Sequence, residues 1–208
     1  MQRGARVDEF TLAASSLVLA TVLWVLVFLI RPLDFWVMLS LSTIILLAIS
    51  ILVNRTKPSF PARPHLAITG IVVGFLLYAL FYVGFFLTRS NPIIGPGVGQ
   101  VYTLRSTTPI LLIALLTIFP IAPSEEFYWR GLIQRRFVER LGPWPGFLIA
   151  SAAYSLVHLP TLNPPLILTA LIGGLVWGFL YKRTGSLLPG IVSHITFDLL
   201  IFVVLPLA

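Results

Sequence analysis

Seven apolar runs follow one another along this chain, at residues 10–30, 35–53, 66–87, 106–124, 144–159, 166–181 and 187–207. A helix that crosses hydrocarbon needs roughly 20 predominantly apolar residues, and the fifth and sixth runs are short by that measure. Lipid offers no partner to an open backbone N–H or C=O, so a chain of this kind folds as helices whose hydrogen bonds close internally. The expected fold is therefore all-α: a polytopic membrane helix bundle of about seven transmembrane helices in a single domain over residues 1–208. Only 10% of residues are charged, against roughly 25% in soluble domains.

The net charge of +7 would suggest nucleic acid in a soluble protein. Here the basic residues fall between apolar runs, so no nucleic-acid partner is expected. The N-terminus, residues 54–65, residues 125–142 and residues 182–186 hold eleven of the fourteen Lys and Arg, leaving only Arg31, Arg89 and Arg105 for the other loops. The positive-inside rule then places the N-terminus in the cytoplasm and the C-terminus outside. The basic start MQRGARVDEF precedes an apolar run too long for the core of a cleaved signal, and reads as a retained first span. With no cysteine, disulfides and thiolate metal sites are excluded. The segment NPIIGPGVGQ reads as a turn-rich loop. Ala170, Gly174 and Gly178 form a small-residue stripe that lets another helix approach closely.

Against this background the few ionisable residues at membrane depth stand out, because such groups are expensive in hydrocarbon and usually line a functional cavity. Glu125 and Glu126 are adjacent, with Arg130 one turn after Glu126 and suited to pair with it. His158 and His194 lie in apolar runs, and Asp198 follows His194 at the i,i+4 spacing of one helical face. The turn Leu141-Gly142-Pro143 ends one helix and starts the next. If the two helices form a hairpin there, Glu125, 17 residues before Gly142, and His158, 16 after it, sit at nearly the same depth. His194, nine residues beyond Gly185, is about 14 Å into its helix. These distances point to one polar cavity a few turns deep, open toward the cytoplasm. Bland readings weigh against sharp ones. Pro123-Ser124-Glu125-Glu126 is also a capped helix start with acids favoured by the dipole, and Trp24, Trp36 and Trp144 need no role beyond anchoring and packing.

Three of these patterns resemble the motifs of the CPBP family, the CAAX proteases and bacteriocin-processing enzymes also called Abi. EExxxR is matched by Glu125-Glu126-Phe127-Tyr128-Trp129-Arg130. FxxxH is matched by Tyr154-Ser155-Leu156-Val157-His158, with Tyr for Phe. HxxxN or HxxxD is matched by His194-Ile195-Thr196-Phe197-Asp198. The resemblance covers residues 109–207, the expected catalytic core, and leaves the first three spans without a motif. It implies an intramembrane endopeptidase of a prokaryotic cell membrane, acting from the cytoplasmic side on a peptide or lipid-anchored protein. Glu125 and His158 would activate the attacking water, His194 and Asp198 would stabilise the oxyanion, and Glu126 with Arg130 would be a structural ion pair. The family is described both as metalloproteases and as metal-free glutamate proteases. No cofactor is required by the sequence, although Glu125, His158, His194 and Asp198 are chemically acceptable ligands for a divalent metal such as Zn2+. An ionised Asp198 accepts but does not donate, unlike Asn, and is expected to orient His194. The competing readings are a non-catalytic scaffold or immunity protein and a small proton-coupled transporter.

Overall fold

The computed structural model describes residues 8–54, 60–61 and 63–207. Most of the basic N-terminus and part of the basic 54–65 loop lie outside the described residues. The described residues form helices α1 Glu9–Ile30, α2 Phe35–Val53, α3 Pro64–Thr88, α4 Ile94–Thr103, α5 Ile110–Leu141, α6 Pro143–Leu156, α7 Pro164–Thr184 and α8 Leu188–Val204, with no strand. The all-helical membrane fold is as expected. Five helices, α1, α2, α3, α5 and α7, are long and apolar enough to cross a bilayer, and α8 is a shorter apolar helix. The expected fifth span stops as a helix at Leu156, after 14 residues, so helix lengths alone do not yield seven spans. The turn-rich loop contains α4.

Local chemistry sets the boundaries. Asp34 caps α2 by accepting from the backbone N–H of Trp36 and Val37, and Asn163 caps α7 by accepting from Leu166 N–H, each satisfying donors that a helix start leaves open. Gly142, at φ 94°, makes the α5–α6 corner in a conformation costly for other residues. In α5 the helix widens to π geometry at Thr117–Ile121 and Trp129–Gln134, on either side of the two glutamates. Pro120 lies within the first of these stretches, where its missing N–H breaks the regular ladder.

Packing brings the helices onto α5. Ser50 of α2 donates to Phe127 O, and Asn54 to Gly131 O. Arg130 and Gln134 of α5 donate to Gly174 O and Gly178 O of α7, so the small-residue stripe is indeed a contact surface. The helix α3 buries only Leu66, Gly70, Gly74 and Leu77. A Cβ on Gly70 would come within 2.7 Å of Val192 Cβ, and one on Gly74 within 2.6 Å of Thr196 Cβ. The α3 backbone therefore lies directly on α8, the helix that carries His194.

Candidate active site

Glu125 is buried at the centre of α5, and Tyr154 on α6 donates its hydroxyl to Glu125 Oε2 at 2.7 Å. The Tyr154 ring is held by Trp129, edge-on at 5.2 Å, and by the Arg130 guanidinium, 4.8 Å above its centre. Four residues later His158 closes α6. Its Nδ1–H donates to Tyr154 O at 2.9 Å, since a carbonyl can only accept. Its Nε2 accepts from Trp24 Nε1–H of α1 at 3.0 Å. Both ring nitrogens are thus engaged and the tautomer is fixed.

Glu126 is fully buried and does more than form an ion pair. Its Oε1 accepts from Arg130 and from His194 Nδ1, each at 3.0 Å. Its Oε2 lies against Gly190 of α8, where a Cβ would come within 2.9 Å. His194 is stacked on Trp177 with ring centres 3.8 Å apart. Its Nε2 faces Asp198 Oδ2 at 3.5 Å. The closer partner that orients His194 is therefore Glu126, with Asp198 on the opposite nitrogen. His194 thus lies between two carboxylates, hydrogen-bonded to Glu126 and 3.5 Å from Asp198.

Glu125, Tyr154, His158, His194 and Asp198 line one cavity of about 390 Å³. Its remaining wall is largely apolar and comes from Phe28, Trp36, Phe81, Phe85 and Phe202, with α4 contributing Ile94, Val98 and Val101. These residues belong to the end of the bundle that holds α4. The opening was expected at the arginine-rich end. At that end Trp129, Arg130, Ile133 and Gln134 are buried and fill the space beneath the glutamates. Helix lengths gave the depth of the site but not which end side chains would plug. At the α4 end, Asn163 donates to Gly97 O and Gln100 Oε1, and Trp36 to Leu104 O, holding α4 against the cavity.

Residues 106–200 match the family model of the type II CAAX prenyl endopeptidases, Rce1-like. That segment resembles this family. No curated protein and no solved structure gives a significant match. The matched family is a protease family, in agreement with the motif resemblance. The Rce1-like segment supplies Glu125, Glu126, Arg130, Tyr154, His158, His194 and Asp198, but Trp24 comes from outside it.

Glu125, His158, His194 and Asp198 share the cavity, and the hairpin at Gly142 brings the first two together. Among the described residues no three His, Asp or Glu side chains are grouped to hold a metal ion. The set therefore does not fit zinc as arranged, and His158 would have to give up Trp24 to become a ligand. Sequence reasoning missed the parts played by Trp24, Trp177 and the Tyr154 hydroxyl. Only Tyr154 carried a signal, as the position where the FxxxH pattern changes.

Proposed function

We propose that the protein is an intramembrane endopeptidase that hydrolyses a peptide bond in a membrane-attached protein or peptide, with Glu125 as the base that activates water. The observation that carries this reading is the buried Glu125 carboxylate, pinned through Oε2 by Tyr154 and set beside a second, fixed carboxylate–histidine unit at the base of an apolar cavity. One oxygen held by a neutral donor leaves Oε1 as the acceptor for water. Amide hydrolysis needs such a base, a donor to the developing oxyanion and an acid for the leaving amine. Glu125 takes the water proton and returns it to the amine. His194, oriented by Glu126, supplies a donor near the oxyanion. The apolar wall suits a lipid-modified or strongly apolar flank of the substrate, in CAAX-type processing as the family name suggests or in leader-type processing. His158 completes the site from the corner that follows α6. The core of residues 109–207 forms the catalytic part of a single membrane domain.

The test is cleavage of quenched peptides in liposomes by wild type and Glu125→Gln, each with and without chelator. Turnover lost in the variant and untouched by chelator is the expected result. Equal cleavage by both proteins would remove Glu125 from the chemistry. Loss on chelation with recovery on added Zn2+ would replace the metal-free base with a metal-assisted one.

A further inference from the structure

Trp24 is the one polar contact to the site that comes from α1, far from every motif. Its ring is 1% exposed and lines the cavity beside Glu125 and His158. It is packed edge-on against Trp129 at 6.3 Å and against His158 at 5.9 Å. Its single polar atom points at His158 Nε2. In the resting site the lone pair that could orient a water is therefore already occupied. The occupying group, an indole N–H, is itself the kind of donor that an oxyanion needs. Asp198 does not offer an amide N–H for that task.

We propose that Trp24 is a catalytic residue of the endopeptidase, an oxyanion donor whose N–H is exchanged between His158 and the substrate carbonyl. The inference rests on the proteolytic reading above. When a peptide enters, its carbonyl oxygen takes the Trp24 N–H and His158 Nε2 is released. Nε2 then accepts a hydrogen bond from the attacking water, whose other proton goes to Glu125. The water oxygen bonds to the carbonyl carbon, and the C=O π pair moves onto the oxygen facing Trp24. When that pair returns to carbon the C–N bond breaks, and the amine leaves with the proton held by Glu125. One N–H thereby couples substrate arrival to exposure of the histidine lone pair.

The experiment compares wild type, Trp24→Phe, which keeps an aromatic ring without the N–H, and Trp24→Gln, which restores a donor. Two readouts are used: kcat and KM on the peptides above, and ¹⁵N shifts of the His158 ring. The expected result for Trp24→Phe is a fall in kcat of about 10²-fold with KM nearly unchanged, and a changed Nε2 shift, with Trp24→Gln recovering part of both. A Trp24→Phe protein with full kcat, or an Nε2 signal indifferent to the substitution, overturns the proposal. If Trp24→Phe unfolds, the wild-type Nε2 shift alone decides, since a nitrogen without a hydrogen bond is incompatible with the exchange. Absence of turnover in wild type would count against the proteolytic reading, whereas the ring shifts report on Trp24 independently.

Discussion

Removing the guanidinium of Arg130 tests whether the Glu126 unit is a structural support of the site. Arg130 is 2% exposed and Glu126 is fully buried. Besides the 3.0 Å pair with Glu126, Arg130 donates to Gly174 O and lies over the Tyr154 and Trp177 rings. Arg130→Met preserves much of the volume but leaves Glu126 with His194 as its remaining partner. Breaking a buried pair by deleting one member costs about 3–5 kcal/mol, because the other charge stays behind. For a chain of this size that is a Tm decrease of roughly 10 °C, on the scaling of about 2–4 °C per kcal/mol. Glu126→Gln in the Arg130→Met background removes the orphaned charge and is expected to recover part of the loss. Thermal unfolding of wild type, both single variants and the double variant in one detergent completes a double-mutant cycle. Coupling of at least about 1 kcal/mol is expected, as for residues in one buried network. Additive losses would refute the reasoning and reduce Arg130 to a packing residue.

Three further outcomes follow from the geometry. Tyr154→Phe keeps the ring against Trp129 and Arg130 but removes the donor to Glu125, a bond to a charged group worth about 1.5–3 kcal/mol. Its kcat/KM should fall about tenfold or more, and unchanged kinetics would show that the hydroxyl does not position the base. Gly74→Leu should lower both Tm and activity, since even a Cβ there meets Thr196 Cβ and Ser193 O, on either side of His194. Gly84→Ala, with open space around it, is the control for Tm on the same helix. Asp34, in the α1–α2 loop, is pushed up by burial, but hydrogen bonds from Thr108, Val37, Thr107 and Trp36 outweigh this and hold its carboxyl below the ordinary 3.8. A depressed folded value means that the anchor contributes fully above about pH 4 and is lost as pH falls through that lower value. The Tm difference between wild type and Asp34→Asn should therefore be present at pH 7 and shrink toward pH 3. A constant difference would contradict this.

The membrane bundle was legible because lipid leaves the backbone so few options, and the apolar runs record that constraint directly. The pairing of depths at the α5–α6 hairpin was legible for a similar reason. Rise per residue is nearly constant, so a turn at Gly142 places Glu125 and His158 opposite each other without knowledge of packing. What was not legible depends on lateral neighbours. The indole of Trp24 looks like any interfacial tryptophan until α1 is seen beside α6. The contact of Gly70 and Gly74 with α8 was readable in principle, as GIVVG in an apolar run is a small-xxx-small pattern. Charge distribution identified the arginine-rich end of the bundle, but not that Trp129 and Gln134 seal the space above it.

The shortness of α6 has a consequence for the host membrane. Its 14 residues span about 21 Å, against about 30 Å of hydrocarbon. The corner that follows carries His158, Thr161 and Asn163. A protein with one element this short fits a locally thinned bilayer better than a thick one, at fractions of a kcal/mol per ångström of mismatch. Shorter-chain lipids thereby favour the arrangement in which His158 and its neighbours meet the cavity.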